Sequence, residues 1–263
     1  MKRRRLWFGL TLIALVGLMA FFGPGLAKQD PYQLDLSRTL RPPGAQNWLG
    51  TDHLGRSVFS RLASGGRYSL VMAAFCVGIS MVFGAVMGLA AGYRQGWTDG
   101  LIMRLVDATL AFPGTLLAIV LAGLLGGSLV TLVLALAATL WCDYCRLTRN
   151  ITRTLRTSSH VEAGRLLGFR RSFIIRRYIV PDLLPQIFVL ASLGMGRTIL
   201  NISGLGFLGI GLRPPIPEWG AMINQGVAYL AQSPWLVAAP GLMIFFAVFG
   251  FQMLAGALGV KRD

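Results

Sequence analysis

The sequence predicts an all-α integral membrane protein with six transmembrane helices. Of its 263 residues, 54% are hydrophobic and only 13% are charged. The mean hydropathy is +0.62. Six apolar stretches are long enough, or nearly so, to cross a bilayer, and the run from Leu116 to Leu140 carries no charge at all.

The first span, 6–26, follows the basic cluster Lys2 to Arg5. Two readings of it stand. A basic start, an apolar core and the small residues Gly25-Leu26-Ala27 fit a cleavable signal peptide. The apolar run exceeds the ~7–15 residues of a usual signal core, which favours a retained helix. Residues 27–67 are polar and rich in Pro, Asp and Arg. They are expected to form an outer linker, with Trp48 and Tyr68 at headgroup level and Val58, Phe59 and Leu62 on one face of a short helix. Residues 1–67 thus form an N-terminal helix with its linker, and 68–263 the core domain.

Span two covers 68–92. Spans three (107–126) and four (128–145) are separated only by Gly126-Gly127-Ser128, which predicts a tight helical hairpin. Arg104 and Asp107, one turn apart, are expected to pair at the inner end of span three. A basic loop at about 146–182 leads to span five, 183–204, where Arg197 stands as the lone intramembrane charge between Gly194 and Thr198. A charged residue at that depth faces protein or water, not lipid. Gly194 and Gly196 thin the helix there, which would let a neighbouring helix or a solute approach. Next comes an outer loop, Gly209 to Gly226, whose three prolines forbid a continuous helix. It is expected to fold back as a re-entrant or interfacial hairpin. Span six covers 235–257.

The formal charge of +15 is spread around the spans instead of forming a stripe on a soluble domain. That pattern argues against nucleic acid and for contact with anionic membrane lipid. With the N-terminus inside, seventeen Lys and Arg residues fall inside and seven outside, with Arg197 between. The split places both termini in the cytoplasm. Cys142 and Cys145 have C-x-x-C spacing, but neither a second pair nor a histidine cluster accompanies them, as a closed zinc site requires. No metal site and no catalytic cluster of acids or histidines is expected, which argues against a membrane-embedded enzyme. A secondary transporter would show inverted repeats, and none is visible.

The basic loop is the least membrane-like part of the chain. Nine arginines and a single acid, Glu162, lie between Arg146 and Arg177. Ser159-His160-Val161-Glu162 reads as a capping box, and Gly168 as a left-handed helix stop. A second short helix is expected from Ser172 to Val180, ending at Pro181. Gly164 and Gly168 leave a face open to close approach, and Leu166, Leu167 and Phe169 are expected to be exposed. A capped turn carrying apolar residues into the cytosol is suited to docking.

The stretch EAGRLLG, nine further residues and YIVP resembles the EAA loop of ABC importer permeases, whose pattern is E-A-A-x-x-x-G, nine residues, I-x-L-P. Glu162, Ala163, Gly168 and Pro181 match; Gly164, Tyr178 and Val180 replace Ala, Ile and Leu. LGTDHLGRSVFSRL, MRLVDATLAFP, GLGFLGIG and PIPEWGAM then occur in order. They resemble the C-type subunits of the dipeptide, oligopeptide and nickel permease group. The resemblance implies a type I ABC importer permease-like fold in the bacterial inner membrane, half of a pathway for a peptide or a metal chelate. It implies four kinds of partner: a second homologous permease subunit, two ATP-binding subunits, an extracytoplasmic binding protein and membrane lipid. The ATPase subunits would bind ATP and Mg, with no cofactor in this chain. None of its three lysines lies in a phosphate-binding G-x-x-x-x-G-K-[ST] loop. Glu162, Ala163, Gly164, Leu166, Leu167, Gly168, Phe169 and Pro181 would form the coupling helix and its base. Arg197 and Asn201 are the candidates for the translocation pathway, with a bond to the partner permease as the other role open to Arg197. The sequence departs from the group in two places. Ile202 stands where peptide-transporting members commonly have an acid, which tilts towards metal chelates. The ending FQMLAGALGVKRD is shorter than the usual FNLLGDALRD.

Overall fold

The computed structural model describes residues 2–259 apart from Lys28, Gln46, Gly126 and Gly127. The C-terminal Val260 to Asp263, whose role the sequence left open, therefore lies outside the described residues. Among the described residues, five helices are long and apolar enough to cross a membrane, or six if one bent pair counts as a single span. They are α1 (Lys2–Leu26), α2 (Val58–Arg94), the bent pair α3 (Gly96–Leu110) and α4 (Gly114–Leu125), α5 (Leu129–Arg156), α8 (Val180–Phe207) and α10 (Trp235–Gly259). Three short helices lie between them: α6 (Ser159–Leu166), α7 (Arg171–Ile174) and α9 (Trp219–Val227).

Helix α2 is the axis of the molecule. Its 37 residues absorb the short helix expected around Val58 to Leu62, and those two side chains are buried. At ~1.5 Å per residue it is about 55 Å long, nearly twice a hydrocarbon core. It packs most extensively on α5, and the contact is made by backbone. Gly84, Gly88 and Gly92 stand one turn apart, each against the α5 carbonyl of Trp141, Cys145 and Arg149 in turn, where no Cβ would fit. Lipid tails are as apolar as Leu side chains, so burial alone cannot drive this pairing. Close approach of small residues can. The same device joins α1 to α10, where a Cβ on Gly9 would lie 2.9 Å from the carbonyl oxygen of Gly250.

Two predicted spans have different ends. Span three is a pair of helices meeting at 84° around Ala111 to Pro113, not a straight helix over 107–126. Proline has no N–H to bond back to Thr109, and it disfavours helical geometry at Phe112. The hairpin apex Gly126-Gly127 lies outside the described residues, but the hydroxyl of Ser128 accepts from Thr131 N at 3.2 Å and starts α5. The helix expected to end at Pro181 instead runs on. Residues 171–207 form one membrane-length helix, with a wide turn at Ile175–Ile179 in which Val180 N donates to the Ile175 carbonyl. That turn makes room for the proline ring and the missing donor.

Candidate functional site

The basic loop forms a small docked unit at the end of α5. Its cap differs from expectation: the N-cap is Ser158, not Ser159, and its hydroxyl donates back to the Leu155 carbonyl. The shift places Glu162 in the fourth helical position, one too far to return a bond to the cap, so no capping box forms. Glu162 is exposed in the first turn, where the helix dipole favours an anion.

The other end is as expected. Gly168 has φ +76°, Phe169 N donates to the Gly164 carbonyl at 3.1 Å, and Gly168 N donates to the Arg165 carbonyl at 3.0 Å. That pair of bonds is the Schellman closure. The two glycines play different parts. Gly164 is buried against Tyr178, Phe169 and Ile174, where a Cβ would sit at ordinary contact distance, 3.4 Å from Tyr178. Gly168 has nothing within 4 Å of its Cβ direction, so backbone sign alone demands glycine there.

The inner side of α6 rests on Val161 and Ile174, which are fully buried, and on the Phe169–Phe173 ring pair at 4.8 Å. The Arg165 guanidinium lies over the Tyr93 ring at 6.0 Å and ties α6 to the end of α2. The outer side presents Leu166, 90% exposed, Leu167, 72% exposed, and the exposed Ala163, with Phe169 at the rim. Pro181 stands apart from this surface, exposed at the start of α8. An apolar tip on a short, well-anchored helix can enter a groove of another protein.

The pathway candidates lie one turn apart on α8. Arg197 is not the lone charge: Asp143 of α5 faces it, with Arg197 Nη1 donating to Asp143 Oδ2 at 3.0 Å. Asp143 stands within the predicted fourth span, and its charge is legible there. The glycines beside Arg197 do not open it to a solute. A Cβ on Gly194 would meet the Tyr144 hydroxyl at 2.6 Å, and one on Gly196 would meet Val248 at 3.5 Å. They seat α5 and α10 of the same chain. Asn201 lines an apolar cavity of about 320 Å³ with Thr115, Leu136 and Phe207. Arg104 does not pair with Asp107; Arg146 takes that carboxylate at 2.6 Å.

The end of the molecule where α2 begins holds two polar clusters that sequence reasoning missed. Arg56 and Arg61, both buried, share the Asp52 carboxylate at 2.7 and 3.1 Å, and Arg61 also donates to Gln225 at 3.0 Å. The segment LGTDHLGRSVFSRL is therefore a folded brace, not a loose linker. Glu218, also buried, caps α9 by accepting from Gly220 N and Ala221 N at 2.9 Å and from the hydroxyls of Ser203 and Ser69 at 3.2 and 3.3 Å. Burial pushes its carboxyl above the usual range, against the four hydrogen bonds that favour the charged form. Trp219 beside it donates to the Leu62 carbonyl at 3.0 Å, so the proline-broken loop does fold back onto the helices. A Glu immediately before a lone tryptophan, after a proline-rich stretch, was the available signal.

Residues 80–261 match the family of binding-protein-dependent transport system inner membrane components, and residues 1–43 match the N-terminal transmembrane domain of oligopeptide transport permease C. The chain is 38% identical to the dipeptide transport system permease protein DppC of Alkalihalophilus pseudofirmus, over 97% of this chain and 84% of that one. It is 37% identical to the glutathione transport system permease protein GsiD of Pectobacterium atrosepticum, over 97% and 85%. It is 36% identical to the nickel transport system permease protein NikC of Escherichia coli, over 97% and 92%. Among solved structures, its fold is similar to a chain of the MetNI methionine ABC transporter in inward-facing conformations. The TM-score is 0.59 at 16% identity, over 76% of this chain and 96% of that one.

Proposed function

The chain belongs to the family of binding-protein-dependent transport system inner membrane components, and from that premise we propose the part it plays in an ATP-driven importer. It supplies half of a translocation pathway, and a second, homologous permease subunit supplies the other half. Two ATP-binding subunits carry ATP and Mg and hydrolyse the nucleotide; this chain couples to them without catalysis of its own. The observation that carries the reading is α6, closed at Gly168 and projecting Leu166 and Leu167 outward from the arginine-rich face. Glu162, Ala163, Gly164 and Phe169 form the shoulders and base of that docking element, and Pro181 lies outside it.

The membrane is the bacterial cytoplasmic membrane, crossed with both termini inside, as the arginine asymmetry favours. The first helix is retained and packs on α2 and α10. Residues 1–67 make the first helix and outer brace, and 68–263 the permease core, the two sharing α2. Segments 28–67 and 209–233 face the outside and shape the mouth seen by a binding protein. Arg197 and Asn201, with Asp143, line the face turned to the pathway or to the second permease. The cargo is a small peptide or a metal chelate, a reading supported by relatives named for dipeptide, glutathione and nickel transport. Ile202 is buried in the core, so its side chain does not read the cargo.

The test is Leu166→Asp with Leu167→Asp in the co-expressed complex. Both side chains are exposed, so the chain still folds and inserts, while the ATPase subunits fail to co-purify and uptake is lost. Normal co-purification and normal uptake would remove the docking assignment.

A further inference from the structure

Beside α6 lies a cavity of about 460 Å³ lined by Arg94, Arg156, Arg165 and Arg171 with Tyr93 and Phe169. Four arginines line it, from the ends of α2 and α5, from α6 and from α7, and no acid lines the space. Three other arginines do have acidic partners: Arg146 with Asp107, Arg149 with Asp99, and Arg197 with Asp143. None of the four cavity arginines has an ion pair among the described residues, and Arg156 Nη1 is buried without any hydrogen-bond partner. Four like charges gathered beside one cavity, one of them with a buried unpaired donor, favour an anion there. The planar donors of Arg suit the paired oxygens of a phosphate.

The depth of the cavity identifies the anion further. Tyr93 and Arg94 end α2, and Trp97, three residues on, is 81% exposed at the start of α3. Aromatic and basic residues at the end of a span lie at headgroup level, and basic pockets between transmembrane helices on the cytoplasmic side hold anionic headgroups. We propose that this cavity binds the phosphate group of an anionic phospholipid, which clamps α6 to the inner ends of α2 and α5. The sidedness rests on the importer reading above; the phosphate chemistry does not.

The experiment uses the purified permease–ATPase complex, stripped of lipid. It is then offered equal dioleoylphosphatidylglycerol and dioleoylphosphatidylcholine and weighed by native mass spectrometry. Wild type is expected to retain phosphatidylglycerol at least about tenfold over phosphatidylcholine. Arg156→Gln with Arg165→Gln is expected to lose that preference, while Arg170→Gln, which removes a neighbouring charge outside the cavity, keeps it. If the double variant does not assemble, Arg171→Gln alone is expected to reduce the preference severalfold. Inorganic phosphate is added as a second arm. No displacement of phosphatidylglycerol assigns the site to lipid, and displacement assigns it to the free ion; both uphold phosphate recognition. No lipid preference in wild type, or a preference unchanged in the arginine variants, overturns the proposal. So does loss of the ATPase subunits from the double variant without any change in lipid retention, which would make the cavity part of a protein interface. The ATPase subunits are counted in the same spectra. Wild type that keeps its phosphatidylglycerol preference but carries no ATPase subunits therefore marks failure of the importer reading alone.

Discussion

Replacing Gly168 in a graded series isolates what the closed end of α6 contributes to the proposed coupling. The residue has φ +76°, and the direction in which a side chain would project is empty to 4 Å. The whole penalty of a substitution is therefore backbone strain, about 1–2 kcal/mol for an ordinary L-residue in the left-handed region and less for Asn. That strain falls on the closure made by Phe169 N with the Gly164 carbonyl and Gly168 N with the Arg165 carbonyl. An energy of ~1–2 kcal/mol lowers the closed fraction by a factor of roughly 5–30 relative to the open one. Gly168→Asn is expected to behave nearly as wild type, Gly168→Ala to lose a large part of coupling, and Gly168→Val to lose most of it. The assay is substrate accumulated per ATP hydrolysed in proteoliposomes holding the complete transporter and its binding protein. Thermal unfolding of the permease should barely move across the series, because α6 is peripheral to the helix packing. Two results would refute the reasoning. Equal coupling in Gly, Ala and Val would show that the closure is dispensable. Loss in Asn as severe as in Val would show that a partner surface, not the backbone sign, demands glycine.

Other expectations follow from the packing and the charges. Gly88→Leu forces a side chain into the carbonyl of Cys145 and should lower stability by about 1–3 kcal/mol or more, read as a lower melting temperature in detergent. Gly78→Leu, where nothing lies within 4 Å, should leave the melting temperature unchanged. Asp143→Asn and Arg197→Leu each strip one partner from the pair, and both should impair assembly or uptake; the exchange Asp143→Arg with Arg197→Asp should restore much of what either loses, as the yield of complex and uptake will report. For Glu218, a folded-state value raised above the ordinary 4.5 means stability that is full at low pH and lost as pH rises through that raised value. The melting temperature of wild type should therefore fall from about pH 4.5 upward, whereas Glu218→Gln should be flat over the same range. Cysteine labelling of intact cells should reach Leu36→Cys from outside and Thr157→Cys only after permeabilisation. Both positions are exposed, and the native Cys76, Cys142 and Cys145 are buried and should give no background.

Hydropathy and charge placed the helices in order and picked out the short basic segment that forms α6, because both signals are local. Twenty apolar residues need one another's backbone hydrogen bonds wherever they lie in the bilayer. A glycine after a short amphipathic helix fixes its own turn. Boundaries were less legible. Pro113 broke a span and Pro181 did not, since a wide turn over Ile175–Ile179 lets α8 continue while no such relief precedes Pro113. The capping box failed by one residue, a shift that the spacing Ser-x-x-Glu cannot reveal when Ser158 precedes Ser159. The row Gly84, Gly88 and Gly92 was readable as a small-residue face, but only the tertiary structure decided that its partner is α5. The same holds for the charges. Sequence alone supplied Arg197, Asp143, Asp52, Arg56, Arg61 and Glu218; folding decided which met, across separations of 54 residues for Arg197 with Asp143 and 149 for Ser69 with Glu218. Such contacts depend on how helices cross, and the crossing is set by backbone approach at glycines rather than by any local pattern of polarity.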